Sequence, residues 1–487
     1  MNDVSVAVDK LISYARKNLG LAKENEICAR NAVLDVLGSP EYAYTGKKSG
    51  ATSPDEVLGE LFSACGSAGI FSEDEREEYA DKIMGALTLS PKEIRRRFRA
   101  EAKRSGSRSA TDWFYGYCVK NDYVKKSKLD KNPRFEENGL VITINKAKPE
   151  FRDPKKAASG NSVKGGYPKC AICRENEGCP VRNKRTLRTV DLTLDGEKWF
   201  WQYSPYGYFY QHGIAVNCEH TPMHVDRSTF LKLADFVDMF PHYFIGCNAP
   251  LPRIGGSVLA HDHFQGGGEI LPMHRAGAYK TLVRAGFDGL AEVVDWPGTV
   301  IRVVAKNKQA VADVCEEIRA KWVKFEDKSL GIIPEDEAGV HNAVSPTVVK
   351  TERGYEMSVI LRSNITSEQY PDGVFHAHPE FHSIKKESIG LIEAQGLFIL
   401  PGRLEGELAR VEEVIEGGGR LPEEYEQFRL VYEETKKIYE GDRAAGARAA
   451  MKAELGSICG RILENTAVFK DKRLTVKFME ELGFKTI

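Results

Sequence analysis

The chain has 487 residues, which is enough for two or three domains with substantial cores. Its 69 Lys plus Arg and 70 Asp plus Glu residues nearly cancel, which argues against a general nucleic-acid binder because such proteins usually carry a basic excess. The sequence has no apolar run long enough to span a membrane, and its N-terminus lacks the order of a secretory signal. We therefore expect a cytoplasmic protein with reduced cysteines, no membrane partner and no nucleic-acid partner.

Residues 1 to 128 are predicted to be helical. Apolar residues from Val8 to Leu19 follow helical spacing, which stops at Gly20. Two Ser-Pro segments, at Ser53 and Ser90, resemble capping boxes with proline at the first helical position. The basic stretch that follows Ser90 is interpreted as a solvated helix face, with an RNA or acidic partner as the alternative. We assign no chemistry to this region.

Short strands then dominate the sequence. A loop rich in lysine, glycine, serine and proline follows the first predicted strand, 140–144, and extends to about residue 168. The predicted strands of this unit cover residues 140–144, 199–201, 206–210, 243–247 and 261–265, with a helix over 227–240 before the fourth.

A similar order recurs downstream and suggests a second, related α+β half. A strand is predicted over 299–304, a helix over 309–322 and a strand over 355–361, before a second His-x-His pattern. From residue 387 onward the pattern returns to helices. The predicted division of the chain is an N-terminal helical region, two α+β halves and a C-terminal helical region, over 1–128, 129–296, 297–400 and 401–487.

Cys170 and Cys173 have the Cys-x-x-Cys spacing of a zinc knuckle, which requires two further ligands. The candidates for these ligands are Cys179, His212, His220, His224 and His261. A metal on His261 would hold the chain beside His263 and help to orient it. The alternatives are two ordinary buried thiols or a redox pair, and the second is disfavoured because no parallel βαβ setting is present.

A second metal site is predicted from three other histidines. His376 and His378 are two residues apart and would share one strand face, and His341 could join them. The alternative is a pair of structural histidines.

The segment His261-Asp262-His263-Phe264-Gln265 carries the predicted chemistry. Alternation on a strand places the two histidines and Gln265 on one face and the other two residues on the opposite face. His263 could be a metal ligand, a general base or a nucleophile toward phosphorus, and the last requires its other ring nitrogen to stay protonated. Gln265 could donate a hydrogen bond to a phosphoryl oxygen. Three glycines follow, which would allow a backbone or ligand to approach closely.

Several long segments appear in order over about residues 120 to 405, and they read YPKCAICRENEG, QYSPYGYFYQH, NCEHTPMHVDRSTF, FPHYFIGCNAPLPRIGGSVLAHDHFQGG and FHAHPEFHSIKKESIGLIEAQGLFILPGRL. They resemble the bacterial galactose-1-phosphate uridylyltransferases of the class common in Gram-positive bacteria. The resemblance implies an α+β fold with a duplicated, histidine-triad-like antiparallel sheet core between helical regions. It implies a ping-pong exchange in which UMP passes from UDP-glucose to galactose 1-phosphate through a uridylyl-histidine.

The resemblance also implies residue roles. His263 matches the family nucleophile, and Gln265 matches the glutamine that holds the phosphoryl group. The matched ligands of a structural zinc are Cys170, Cys173, His220 and His261, and those of a second metal are His341, His376 and His378. The residues expected at substrate are Lys146, Lys148, Ser204, Tyr206, Ser257 and Lys386.

Three positions depart from the better-known class of the family. Ser204-Pro205-Tyr206 replaces an Asn-Asp pair, Lys146 and Lys148 replace paired arginines, and Asp262 replaces a proline. The first two affect the expected uracil and diphosphate contacts. Family members are often dimers, so a homodimer is expected. The alternatives are a related nucleotide-sugar phosphorylase or adenylyltransferase with another acceptor, and a zinc-stabilised binding protein without turnover.

Overall fold

The computed structural model describes residues 3–146, 166–255 and 258–487. Its helices are α1 Asp3–Tyr14, α2 Glu26–Val36, α3 Pro54–Ser67, α4 Arg76–Leu87, α5 Pro91–Lys120, α6 Lys126–Leu129, α7 Arg227–Met239, α8 Pro272–Arg275, α9 Lys308–Trp322, α10 Leu391–Ala394, α11 Leu404–Glu416, α12 Arg429–Gly441, α13 Ala447–Thr466 and α14 Lys472–Glu480. None of the helices in these ranges is long and apolar enough to cross a membrane.

The strands of the described residues form one large sheet and two small ones. They are β1 Arg134–Glu137, β2 Leu140–Asn145, β3 Val190–Leu194, β4 Glu197–Tyr203, β5 Gly213–Asn217, β6 Phe244–Gly246, β7 His263–Gly267, β8 Ala278–Val283, β9 Gly289–Val294, β10 Val300–Ala305, β11 Glu335–Asp336, β12 Gly339–Val340, β13 Asn342–Thr351, β14 Gly354–Ser363, β15 Leu397–Pro401 and β16 Lys485–Thr486.

The N-terminal region is helical, as its sequence predicts. Helix α1 continues into a short π-helical segment, Ala15–Leu19, and ends at Gly20, whose φ of 70° is costly for residues with a Cβ. The hydroxyls of Ser53 and Ser90 each accept a hydrogen bond from the amide three residues later, at the starts of α3 and α5. These caps satisfy amides that have no partner within the helix.

The basic stretch lies on α5, and most of its charges face solvent beside acidic neighbours. Arg96 pairs with Glu93 one turn earlier and remains 63% exposed. Arg95 is different, because it reaches Glu177 just beyond the Cys-x-x-Cys segment at 2.5 Å. One arginine of the predicted solvated face therefore ties the helical region to the first half.

An eleven-stranded sheet forms the centre of the molecule. Its strand order is β16-β8-β9-β10-β14-β13-β6-β7-β5-β4-β3, and its neighbouring strands are antiparallel. The predicted first half, 129–296, supplies β3 to β9, and the predicted second half, 297–400, supplies β10, β13 and β14. The halves meet at two places: β9 pairs with β10, and on β6 and β13 Gly246 pairs with Thr347 and Ile245 with Val348. The predicted α+β fold with a large antiparallel sheet is confirmed.

Each half repeats the same local order. Helix α7 lies between β5 and β6 in the chain, and α9 lies between β10 and β13. The two helices pack against each other. Their apolar sides belong to one core cluster that also contains the N-terminal helices, whereas a second cluster joins the C-terminal helices to β2 and β15.

A three-stranded sheet connects the beginning of the first half to the end of the second. Strand β2, which is correctly predicted from residues 140–144, pairs antiparallel with β1 and parallel with β15. It therefore lies outside the eleven-stranded sheet. The four-part division of the chain remains a prediction.

One predicted strand is absent from the structure, and one observed strand was not predicted. Tyr206–Tyr210 forms turns rather than a strand, since Pro205 and Gly207 interrupt the aromatic run. Strand β13 was not predicted, because Pro346 lies in its middle. Its position near the short strand β6 lets the Pro346 carbonyl accept a hydrogen bond from the Cys247 amide at 2.8 Å.

Candidate active site

Four side chains from distant parts of the chain converge on a metal-binding geometry. The Sγ atoms of Cys170 and Cys173 lie 3.3 Å apart, and His261 Nδ1 lies 3.3 Å from the first and 3.5 Å from the second. His220 Nδ1 lies 3.1 Å from Cys173 Sγ. All four ligand atoms lie within 4.8 Å of one another. A tetrahedral zinc would hold such atoms roughly 3.3–3.8 Å apart, so this group could hold a metal ion.

The protonation of His261 fits ligation through Nδ1. Its Nε2 lies 2.9 Å from the carbonyl oxygen of Asn217. A carbonyl can only accept, so Nε2 carries the proton and Nδ1 presents a lone pair to the two sulfurs. Burial lowers the pKa of His261 to about 4, although the bond to Asn217 opposes this shift. The ring is therefore neutral at pH 7, as a metal ligand must be.

The two thiols also fit a bound cation. Burial, together with the hydrogen bond between the two thiols, raises the pKa of the Cys173 thiol to about 12. Two adjacent buried thiolates would repel each other without a compensating positive charge. A divalent cation supplies that charge and favours deprotonation. The donor set is thus suited to a soft or borderline metal.

Supporting residues around the Cys-x-x-Cys turn were not predicted. The Asn176 side-chain amide donates to the carbonyls of Cys170 and Cys173, both at 2.8 Å. Lys184 donates to the carbonyl of Ala171 at 2.6 Å, and burial lowers the pKa of its ammonium to about 8. A polar residue three positions after Cys173 is the only sequence signal for this arrangement. The carbonyl contributed by Asn217 leaves no side-chain signal at all.

His263 is the first residue of β7 and is oriented by the backbone. Its Nδ1 lies 2.7 Å from the carbonyl oxygen of His261, so Nδ1 carries the proton and Nε2 is left with a lone pair. Nε2 has no hydrogen-bond partner among the described residues. The side chain is buried, and burial lowers its pKa while the bond to His261 opposes the shift. The metal cluster and His263 are therefore connected through one residue, His261, which was predicted to lie on the strand but lies two residues before its start.

Gln265 follows His263 on β7 with one residue between them. The backbone pairs Gln265 with Ile214 on β5 and Gly246 on β6, in the middle of the sheet. Its side chain is partly exposed. The glycines after it allow close approach of protein backbone: a Cβ on Gly266 would lie 2.1 Å from the Phe244 carbonyl oxygen. The tight packing of β6 against β7 explains this glycine.

The residues between these side chains have a different environment. Phe264 stacks on Trp199, with ring centroids 4.5 Å apart, in the main core. Asp262 is buried, and burial raises its pKa to about 6 although nearby His224 and Lys232 lower it. Asp262 Oδ1 has no hydrogen-bond partner among the described residues.

Two family models match most of the chain. The N-terminal domain of galactose-1-phosphate uridyl transferase matches residues 46–222, and the C-terminal domain matches residues 236–422. The chain belongs to this family. As a member it is an enzyme of the nucleotidyltransferase class.

Curated relatives of this family member match over nearly their whole length. A galactose-1-phosphate uridylyltransferase of Bifidobacterium longum subsp. longum is 50% identical over 99% of both chains. One of Caldanaerobacter subterraneus subsp. tengcongensis is 33% identical over all of this chain and 99% of its own. Among solved structures, yeast Ap4A phosphorylase Apa2 is similar at a TM-score of 0.34 and 12% identity, over 67% of this chain and 90% of that one.

The second predicted set of metal ligands does not converge. Among the described residues, the side chains close enough together to hold a metal ion do not include His341, His376 or His378. His341 Nδ1 lies 2.8 Å from Asn364 Oδ1, and its Nε2 lies 2.9 Å from Asp336. His376 Nδ1 bonds to the carbonyl of Ala377 at 3.2 Å. The remaining histidine, His378, stacks on Tyr370 and bonds to a backbone carbonyl.

The predicted substrate residues are scattered around the first half and its neighbours. Lys146 pairs with Glu405 of α11 at 2.7 Å. Ser204 donates its amide to the carbonyl of His212, and Tyr206 lies in the turn that follows. Lys386 is exposed. Lys148 and Ser257 lie outside the described residues, and the substrate role of all six remains a prediction.

The lysine next to Lys386 was not predicted to have a role. Lys385 is buried. Its ammonium lies 3.0 Å from Glu393 and 3.1 Å from Glu387. The neighbouring lysines therefore differ sharply, one sealed in an ion-pair network and the other open to solvent.

Proposed function

We propose that this enzyme transfers UMP from UDP-glucose to galactose 1-phosphate through a uridylyl-histidine on His263. The observation that carries the proposal is the 2.7 Å hydrogen bond from Nδ1 of His263 to the His261 carbonyl. It leaves the Nε2 lone pair available and lets the backbone carbonyl stabilise the positive charge that develops on the ring during attack. No general base is then needed to activate the nucleophile.

The reaction proceeds in two balanced steps. In the first, Nε2 of His263 forms a bond to the α-phosphorus of UDP-glucose, and the bond from that phosphorus to the bridging oxygen breaks, releasing glucose 1-phosphate. In the second, a phosphate oxygen of galactose 1-phosphate attacks the same phosphorus. The phosphorus–nitrogen bond breaks, and UDP-galactose leaves with the histidine restored.

Gln265 is proposed to stabilise charge on the transferring group. Its carboxamide has two N–H donors and lies two residues beyond the nucleophile, on a strand held from both sides. A donor positioned before reaction is worth more than one that must reorganise. The other residues proposed to contact substrate are Lys146, Lys148, Ser204, Tyr206, Ser257 and Lys386.

The metal of the four-ligand cluster is proposed to be zinc with a structural role. Cys170, Cys173, His220 and His261 form a closed Cys2His2 set, which is typical of structural zinc and leaves no position for substrate. When bound, zinc would neutralise the thiolates and hold the segment whose carbonyl orients His263. A second metal on His341, His376 and His378 is also proposed, and it would require those side chains to change partners.

The proposal includes a cytoplasmic location and a homodimer. Neither depends on the chemistry of His263. Sedimentation velocity of the purified full chain tests the second, since a single species at the monomer mass across micromolar concentrations would contradict it.

The decisive experiment is to trap the intermediate. Full-length protein is mixed with UDP-glucose labelled in the α-phosphate, quenched in alkali and digested. Acid-labile, alkali-stable label on the peptide containing His263 is expected, and addition of galactose 1-phosphate should remove it as labelled UDP-galactose. Label on another residue, or exchange retained by His263→Gly, would refute the nucleophile assignment.

A panel of acceptors and donors tests the substrate class. Inorganic phosphate as the preferred acceptor would indicate a phosphorylase, and preference for ADP-sugars would indicate an adenylyltransferase. Retention of UDP-glucose without any exchange would indicate a binding protein. The proposal expects the highest kcat/KM for UDP-glucose with galactose 1-phosphate.

A further inference from the structure

A cavity of about 400 Å³ lies in the N-terminal helical region. Helix α1 and its π-helical continuation form one wall, α2 forms another, and the segment 44–48 closes the third. Its volume falls in the range of small-molecule sites in proteins. The catalytic side chains on β7 do not line it.

The cavity is strongly basic. Its lining contains two carboxylates, Asp9 and Glu26, against five cationic side chains, which leaves a formal surplus of three positive charges. The five are Arg16, Lys17, Arg30, Lys47 and Lys48.

Existing ion pairs use the arginines and leave the lysines available. Arg16 pairs with Glu26 at 2.8 Å, and Arg30 pairs with Asp9 at 3.3 Å. In the described parts of the chain, Lys17, Lys47 and Lys48 have no acidic partner. All three are exposed. Three like charges around one cavity repel each other, so an anion bound between them would relieve that repulsion.

A buried carboxylate gives the segment that carries two of these lysines a defined shape. Asp9 is 4% exposed, yet it accepts hydrogen bonds from the Tyr42 hydroxyl at 2.6 Å, the Thr45 amide at 2.7 Å and the Gly46 amide at 3.0 Å. Burial opposes ionisation, but these bonds outweigh it and lower the pKa of Asp9. The segment is therefore held in place before any ligand arrives, which reduces the entropic cost of binding.

The remaining lining suits an aromatic or sugar group. Tyr44 is 71% exposed, and the Arg30 guanidinium lies 5.1 Å from its ring centroid. An exposed aromatic ring above a cation offers a face for a planar group. Ile12 and Leu21 supply an apolar wall beside it.

We propose that this cavity is a second anion site, separate from His263, that binds a phosphate ester of nucleotide size through Lys17, Lys47 and Lys48. The phosphates lie among the three ammonium groups, and the base or sugar lies against Tyr44. This site does not depend on the chemistry at His263. None of the catalytic side chains on β7 lines it, so it is separate from the substrate pocket.

Hydrogen exchange of the full-length protein tests the site locally, since the Thr45 and Gly46 amides report on the segment that closes it. UDP, inorganic pyrophosphate and uridine are titrated as probes. The peptide covering residues 41–49 should gain protection with UDP, less with pyrophosphate and none with uridine. Protection that is absent at saturating UDP would overturn the proposal.

Charge variants of the three lysines provide the matched comparison. Replacing Lys17, Lys47 and Lys48 together by Glu should move the UDP midpoint for peptide 41–49 by at least about tenfold, whereas replacing all three by Arg should retain it. A charge-matched control changes three exposed lysines elsewhere to Glu, namely Lys92, Lys324 and Lys437. An equal midpoint in the Glu variant and the wild type would refute the site.

A macromolecular ligand would give a different result. If a 20-nucleotide RNA protects residues 41–49 at concentrations where UDP does not, the surface is an RNA contact and the nucleotide-site proposal is wrong. In the Glu variant of the three lysines, loss of the UDP-induced protection of peptide 41–49 together with an unchanged rate of UDP-glucose exchange would separate this site from the catalytic one.

Discussion

The two halves of the central sheet share an order of strands and helices, and each contains a His-x-His pattern, but the histidine rings of the two patterns have different surroundings. In the first half, His263 begins a strand, and its Nδ1 bonds to a carbonyl while Nε2 has no partner among the described residues. In the second half, His376 and His378 follow β14 in irregular structure. Their rings are held by backbone carbonyls, and one is stacked on Tyr370.

The difference between the halves lies in what surrounds the pattern. The first half places a Cys-x-x-Cys turn against His261, and His261 in turn orients His263. Among the described residues, the group that could hold a metal contains no side chain of the second half. The two halves can therefore share an order of strands and still differ around their histidines, because the strand order does not determine these few hydrogen bonds.

The largest effect should come from removing the two patterns in turn. We expect His263→Ala to lower kcat of the exchange by on the order of 10⁴-fold or more, because the covalent route is lost. The matched variant His378→Ala should change kcat by less than about tenfold, since that ring packs on Tyr370. Coupled measurement of UDP-galactose formation gives both values. Comparable decreases of kcat in the two variants would contradict the proposed functional difference between the halves.

The metal cluster should stabilise the first half strongly. We expect Cys173→Ser to abolish stoichiometric metal and to lower the free energy of unfolding by several kcal/mol, on the order of 4 kcal/mol, because metal binding contributes directly to folding. Elemental analysis and denaturant unfolding measure the two quantities. Cys179→Ser is the control, since that buried thiol lies outside the ligand group. Full metal content in the Cys173 variant would contradict the ligand assignment.

Replacing Gln265 should lower kcat less than replacing His263 does, but more than replacing Gln369 in the second half. We expect Gln265→Ala to reduce kcat by roughly 10²–10³-fold with KM little changed, as for loss of one preorganised donor. Gln369→Ala, in the exposed second-half segment beside Tyr370, should leave kcat unaltered. Steady-state kinetics separate the terms, and a rise in KM alone would assign Gln265 to ground-state binding.

Folding stability should depend on the protonation of a histidine near the junction of β6 and β13, where the two halves meet. His274 lies there, with Nε2 donating to Gln395 Oε1 at 2.8 Å, and Gln395 also accepts from Thr347. Burial is the main cause that lowers the pKa of His274 to about 4. Between pH 6.5 and 4 the unfolded chain binds a proton that the folded chain does not, so stability falls as the pH decreases.

We expect this one histidine to cost roughly 1.6 kcal/mol of stability between pH 6.5 and 5. Urea unfolding of the wild type and of His274→Gln at those two pH values measures the contribution as a difference of differences. The variant should lose less stability than the wild type over the interval. Parallel losses would show that protonation of His274 is not responsible.

Much of the fold follows from local sequence. The caps at Ser53 and Ser90 and the helices over 227–239 and 308–322 were predictable, because capping groups and apolar spacing act within a few residues. Strand β13 was not predictable, because Pro346 argues against a central strand and only a shortened neighbour makes it acceptable. The joining of both halves into one sheet also depends on long-range pairing.

The sequence alone determined the residue types and spacings of the candidate site. Cys170, Cys173, His220 and His261 were identified as metal ligands with the help of the family resemblance, and they do converge. Only the tertiary structure decided how the rings are used. The backbone carbonyls of Asn217 and His261 determine which ring nitrogen of His261 and of His263 carries the proton. Because every residue has a backbone carbonyl, the residue types in the sequence do not show which carbonyls have this role.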